Sequence, residues 1–321
     1  MKIAITGGTG FIGRHLAVEL AGAGHEVVLL ARGLDRRDPS ALAVPGVRLV
    51  RANVTDVATL RTAFEGCDAV AHCAGINRQL GAQTYLAIHV HGTSNVVEAA
   101  RATGVARIAL LSFLRARPAC GSGYHESKWK AEETVRGSGL DYTVVKASMT
   151  YGNGDHMLDH LSHLLYTMPL FAPVGLREKY VRPVAVQDLV RVLVAALVDG
   201  RLSQKSVAVM GPETIRLSEA ARRVGRLIGH RPLVVPAPVM LHYLVARLAE
   251  RLMTVPLVAV AQVRMLSEGL VQPWGDLDPL PDDLVPVTPL SDQVIRQGLP
   301  AAGRFTRADL RIGRGPRPKP S

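Results

Sequence analysis

The chain has 321 residues, with 38 Lys+Arg against 27 Asp+Glu for a net charge of +11, and 48% apolar and 20% charged residue types. This composition excludes wholesale disorder, a fibrous repeat and a small disulfide-stapled scaffold, and it leaves one large domain or two smaller ones around a substantial core. The excess charge raises nucleic acid, anionic lipid and phosphorylated ligands as partners, and its position narrows them: between Gly303 and Ser321 six cations stand against the single acid Asp309.

In chain order, residues 2–6 form an apolar strand, followed by a glycine turn and a helical pattern over 14–22. Further strands are predicted at 26–30, 47–50, 68–72, 107–111 and 142–145, with helices near 57–64, 84–103 and 124–136. Such alternation implies an α/β fold, a parallel sheet with helices on both faces and ligands at the carboxyl ends of the strands. After about Tyr151 the rhythm changes to helices at 156–168, 218–228, 239–252 and 258–268 between Pro-rich segments. The expected organisation is a nucleotide-binding domain over 1–150, rejoined by 181–200, and a smaller, interleaved C-terminal substrate lobe over 151–302. A basic tail over 303–321, with too little apolar content to pack, is expected to be mobile.

Between the first strand and first helix lies Thr6-Gly7-Gly8-Thr9-Gly10-Phe11-Ile12-Gly13. Gly7 supplies the tight turn, Gly10 the room for a pyrophosphate and Gly13 the close helix packing, and the helix N-terminus turns backbone N–H groups toward the phosphates. Thr9, Phe11 and Ile12 belong to the same cradle. The second strand ends at Arg32, with Arg36 and Arg37 close behind, where an NAD-selecting site offers a carboxylate. A guanidinium there pairs with an adenosine 2′-phosphate, so NADP(H) is the preferred cofactor; Asp35 keeps NAD(H) open. Asn53 and Val54 are placed to flank the adenine, and Ala74 and Gly75 to pass the cofactor where the fourth strand ends.

Tyr124-His-Glu-Ser-Lys128 opens a helix, and spacing of four puts tyrosine and lysine on one face. Tyr124 is the expected acid/base, Lys128 its electrostatic partner and a holder of the nicotinamide ribose. An ammonium about 4 Å away is large enough in effect to bring a phenol pKa down toward neutrality. Taken together, Thr6-Gly7-x-x-Gly10-x-x-Gly13 and Tyr124-x-x-x-Lys128 resemble the short-chain dehydrogenase/reductase superfamily. The likeness continues through Ala74-Gly75, Gly92-Thr93, Tyr151-Gly152 and residues 183–189. It points to the extended or atypical branch, which includes epimerase/dehydratase-like proteins and the nucleotide-binding accessory subunit of respiratory complex I.

That resemblance implies a Rossmann-type doubly wound parallel sheet with a bound nicotinamide nucleotide and a small C-terminal substrate lobe, and an NADP-dependent oxidoreductase transferring hydride to or from a carbonyl or hydroxyl carbon of a small molecule. Ser112 is the best match to the family's polarising hydroxyl, although the two positions after it are apolar, and Ser122 is in reserve. His89 stands where many members carry asparagine, and Lys146-Ala147 where an Arg-Pro pair is common. These departures keep a second reading open, a non-catalytic nucleotide-holding assembly or redox-sensing protein; sugar-nucleotide epimerisation is a third.

Three cysteines without CxxC spacing, and no export signal ahead of them, point to a reducing cytosol. His156, His160 and His163 share a helix face, but a cleft or wet surface explains them better than zinc, and no metal site is expected. The apolar stretch 233–265 is broken by charges and spans no membrane, while its amphipathic part and the basic tail leave peripheral membrane contact open. Nucleic acid is not an expected partner.

Overall fold

The structure, a computed structural model, describes residues 1–32, 44–168, 170–253 and 258–305. The first half runs β1 (Lys2–Thr6), α1 (Phe11–Gly22), β2 (Glu26–Ala31), β3 (Val47–Arg51), α2 (Val57–Phe64), β4 (Ala69–His72), α3 (Gly92–Ala102), β5 (Arg107–Phe113), α4 (Gly123–Arg136), β6 (Asp141–Ala147) and β7 (Thr150–Tyr151). The second half runs α5 (His156–Thr167), β8 (Leu170–Phe171), β9 (Tyr180–Val181), β10 (Val184–Ala185), α6 (Val186–Leu197), β11 (Lys205–Val209), β12 (Ile215–Arg216), α7 (Leu217–Leu227), β13 (Leu233–Val234), α8 (Val239–Leu252), α9 (Val260–Glu268) and α10 (Asp292–Gly298).

The chain divides into two compact units. The first comprises Met1–Gly152, Arg182–Thr214 and Leu270–Leu290, the second Asn153–Val181, Ile215–Gly269 and the chain from Ser291. In the first, seven parallel strands lie in the order β11-β6-β5-β4-β1-β2-β3. β1 is central: Ile3 pairs with Val27 on one side and Ala69 on the other. Its run Ile3-Ala4-Ile5 is apolar on both faces because both are covered. Leu16 and Leu20 of α1 and Leu189 and Leu193 of α6 cover Ile3 and Ile5, while Leu60, Phe64, Val96 and Val135 cover Ala4 and Val28 on the opposite face. The strand order reverses between β1 and β4, the crevice where such sheets take their ligands.

Local chemistry sets the helix starts. The Asp56 carboxylate accepts from Ala58 and Thr59 N–H to begin α2, Asp155 from Leu158 N–H to begin α5, and Ser122 from His125 N–H to begin α4. The single helix expected over 84–103 is two segments: Leu86–His91 forms a wider π-helical turn before α3. In that turn His89 is buried.

A buried charge cluster lies against the sheet between α4 and β6. Glu132 and Lys146, each 1% exposed at the side chain, meet at 3.1 Å. Lys146 also donates to Ala116 O, and Arg136 donates to the same Glu132 oxygen at 3.1 Å. Replacing Lys146 by Met leaves a buried carboxylate short of its nearest cation and is expected to cost about 3 kcal/mol, whereas Lys146→Met with Glu132→Leu recovers most of it. Urea unfolding followed by tryptophan fluorescence checks this. Trp129 and Trp274 both line a cleft of about 560 Å³ beside the cluster.

The second unit is smaller and mainly helical. Its short strands pair β9 with β12 and β8 with β13, and α8 and α9 close over Val174, Ala246 and Val263. Arg36, Arg37, Asp35 and the tail from 306 onward lie outside the described residues. Of the expected tail, Gly303–Phe305 are described, and Phe305 N–H donates to Thr167 Oγ1 at 2.8 Å.

Candidate functional site

The glycine loop sits at the carboxyl end of β1. Gly7 has φ +68°, and a Cβ on it would stand 2.8 Å from the backbone of Ala74; one on Gly13 would stand 2.5 Å from Gly7 O. Both contacts are too short for any side chain, so the turn, α1 and the end of β4 lock together only through glycine. Gly10 is the N-cap of α1, is exposed, and makes no side-chain cap bond. The first N–H groups of α1, at Phe11, Ile12 and Gly13, therefore have no partner from the helix itself and mark the positive end of its dipole. The Gly7→Ala protein is expected to lose nicotinamide-nucleotide binding and several degrees of Tm, read by titration and thermal melting.

At the end of β4, Gly75 is held clear: a Cβ there would lie 3.3 Å from Lys128 Nζ and 3.5 Å from His89 Nε2. Ala74 is part-buried beside Gly7. Asn53 accepts from Thr55 N–H, and Val54 packs against Gly92 while its carbonyl accepts from Asn95 Nδ2 at 2.9 Å. Arg32 is exposed just beyond the end of β2.

Tyr124 and Lys128 lie one turn apart on α4. Lys128 Nζ donates to Leu111 O at 2.9 Å. Burial draws its pKa down to about 8, with Glu132 and Cys73 opposing. The Tyr124 ring is ringed edge-to-face by Phe113, Tyr85, His89 and His125, at centroid distances of 5.4 to 5.9 Å. Among the described residues its hydroxyl makes no hydrogen bond. Burial, then the neighbouring Tyr85 phenol, pushes the Tyr124 pKa up. This runs against the expectation that Lys128 acidifies it, because the desolvation of a phenolate outweighs a lysine engaged with a carbonyl.

Neither candidate serine is directed at a substrate oxygen. The Ser112 hydroxyl donates to Glu132 Oε1 at 2.5 Å, and Ser122 is the α4 N-cap, its Oγ 2.6 Å from His125 Nδ1. Each faces an internal partner, and a polarising group must have a proton to offer the substrate.

The sequence drew attention to His89 but not to what supports it. The Thr93 hydroxyl donates to His89 O at 2.5 Å, so the 3.0 Å contact between Thr93 and His72 Nε2 is a donation from the ring. His72 Nδ1 then accepts from the Thr6 hydroxyl at 2.6 Å. By the same logic Ser127 donates to Tyr124 O at 2.9 Å, His89 Nδ1 donates to Ser127 Oγ at 2.8 Å, and His89 Nε2 accepts Ile76 N–H at 3.0 Å. Both imidazoles are neutral, each in one tautomer. Burial, then Lys128, draws the pKa of His72 down to about 3 and that of His89 to about 2. The network runs from the strand before the glycine loop to the backbone of Tyr124. Its legible signal was Tyr85 and His89 four residues apart, now stacked at 5.5 Å.

Among the described residues no group of three or more His, Cys, Asp or Glu could hold a metal, and no helix is long and apolar enough to cross a membrane. His160 is drawn down to about 4 by burial, and His163 Nδ1 is bonded to Asp159 O.

A family model for NAD(P)H-binding matches residues 7–159. A ceramide reductase of Caulobacter vibrioides is 30% identical over 74% of this chain and 73% of its own length. An uncharacterized protein of Mycobacterium tuberculosis is 28% identical over 82% of this chain, which spans only 27% of that relative. In fold the chain is similar to the Bordetella bronchiseptica enzyme WbmG, solved with NAD, at a TM-score of 0.68 and 19% identity, covering 93% of this chain and 92% of that one. The chain belongs to the extended branch of the short-chain dehydrogenase/reductase superfamily, a family of NAD(P)-binding oxidoreductases and epimerase-like proteins. A nicotinamide dinucleotide fits the chemistry of the cradle: the glycines let turn, helix and strand end pack closely, and the first N–H groups of α1 are left without helix partners beside an exposed Gly10.

Proposed function

We propose that the protein is an NADP(H)-dependent reductase or dehydrogenase acting on the carbonyl or hydroxyl group of a small organic substrate. The observation that carries this reading is the unbonded Tyr124 hydroxyl one helical turn from Lys128, at the end of the crevice that the glycine loop begins. When bound, the nicotinamide supplies the hydride.

The chain's residues do the rest. Gly7, Thr9 and Gly10 shape the turn, whose Gly10 N–H closes on Gly7 O at 2.9 Å, and the N–H groups of Phe11, Ile12 and Gly13 hold the diphosphate; Asn53 and Val54 flank the adenine, and Ala74 and Gly75 let the cofactor pass close to the sheet. Lys128 holds the nicotinamide ribose with donors not spent on Leu111 O. Tyr124 delivers its proton to the substrate oxygen. Burial keeps Tyr124 protonated, so the proton is present at neutral pH although the raised pKa makes it a weaker acid; the ceramide reductase relative favours reading the reaction as a reduction. That relative also favours a substrate with substantial apolar bulk.

Single-turnover oxidation of bound NADPH with a panel of carbonyl compounds tests the reading, and no oxidation with any of them would sink it. For cofactor choice, Arg32→Ala is expected to weaken NADPH binding about tenfold with NADH unchanged, by fluorescence titration. An unchanged ratio removes Arg32 from the role.

One observation favours a second reading. With Ser112 bonded to Glu132 and the next two positions apolar, the polarising hydroxyl of the family has no counterpart, as fits a protein that holds a nucleotide without turning it over.

A further inference from the structure

The second unit contains 17 Lys+Arg against 8 Asp+Glu, so nine of the chain's eleven net positive charges belong to it. Within it α8 is turned inside out. The helix buries its small residues, Ala246 and Ala249, against α9, and presents its large ones: Met240 is 76% exposed, Leu244 56% and Leu248 48%, with Leu241, Val245 and Leu252 beside them. At ~100° per residue these six fall within an arc of about 140°.

The charges on this helix are sorted. Arg247 and Arg251 are exposed at the Met240 side of the apolar arc, Arg247 just outside it and Arg251 just inside it, whereas the helix's one acid, Glu250, turns inward and accepts Val260 N–H at 2.9 Å. A long apolar stripe edged only by guanidinium groups, on a strongly basic unit, is out of place in water. Two copies meeting through it would bring like-charged units together. A surface offering hydrocarbon beneath negative charge satisfies both parts of the pattern.

We propose that α8 lies flat on an anionic lipid bilayer. The stripe from Met240 to Leu252 enters the boundary between headgroups and acyl chains, and Arg247 and Arg251 reach out to the phosphates along its edge. The helix is too short to span, and its axis lies in the plane of the surface.

Flotation of the full chain with phosphatidylcholine vesicles, with and without phosphatidylglycerol, tests this. The wild type is expected to float with the anionic vesicles and not with phosphatidylcholine alone. Met240→Ser with Leu244→Ser and Leu248→Ser is expected to lower partitioning at least about tenfold. Arg247→Gln with Arg251→Gln is expected to lower it severalfold at low salt, which keeps the test independent of the folding of the triple variant. Three results would overturn the proposal: failure of the wild type to float; undiminished flotation of the triple variant, which would assign binding to the basic residues beyond 305; and a lipid-free dimer that the triple variant abolishes, which would assign the stripe to a second copy.

Discussion

Replacing Tyr124 by Phe is expected to lower kcat by roughly 10²- to 10⁴-fold, the range that loss of a positioned general acid produces, while leaving the dissociation constant for NADPH unchanged. The substitution is clean. The aromatic contacts with Phe113, Tyr85, His89 and His125 belong to the ring and survive, and the hydroxyl that is lost makes no hydrogen bond among the described residues. The pH dependence adds a second readout. Because burial raises the Tyr124 pKa, its ionisation does not limit activity near neutrality. Lys128, drawn down to about 8, loses its charge as pH rises through that value, so kcat/KM is expected to fall on the alkaline side near pH 8. Equal single-turnover rates in wild type and Tyr124→Phe would remove the assignment.

The architecture was legible where one physical constraint dominates. β1, β2 and β4 are covered on both faces, so they read as unbroken apolar runs, and the turn between β1 and α1 read as a nucleotide cradle because only glycine satisfies its close approaches. Other features were hidden for equally specific reasons. The π-helical turn over Leu86–His91 has the same coarse periodicity as an α-helix, so the sequence could not show that His89 is turned inward. Ser112 looked available because its partner lies twenty residues away: that a buried Glu132–Lys146 pair would claim its proton has no sequence signature. The return of the chain to the first unit over Leu270–Leu290 contains only a single 3-10 turn, Asp282–Leu284, and gave no pattern to detect. For α8, periodicity identified the residues that share a face but not which face meets solvent.

The two neutral histidines of the network make the protein acid-sensitive below pH 6.5, and His160, drawn down to about 4, adds in the same sense. His72 and His89 hold native pKa values near 3 and 2, against an ordinary 6.5 once unfolded. Below pH 6.5 the unfolded chain therefore binds protons that the native state refuses, and stability falls as pH falls, continuing until the native values are reached. Above 6.5 neither group contributes a slope. Each imidazole costs about 1.4 kcal/mol per pH unit in this window, so the pair removes about 4 kcal/mol by about pH 5, a large part of the 5–15 kcal/mol typical of a folded domain. Ordinary carboxylates titrate lower, which leaves the interval above pH 5 to histidine. Geometry explains the refusal: a second proton on His89 would face Ile76 N–H, and one on His72 would face the Thr6 hydroxyl that already donates to it. Urea unfolding at about pH 7 and about pH 5 should show the midpoint collapsing, and His89→Asn should cut the slope by about one proton. A midpoint that holds steady across the interval would mean that these rings accept protons in the folded protein, and the tautomers assigned to the network beneath Tyr124 would then be wrong.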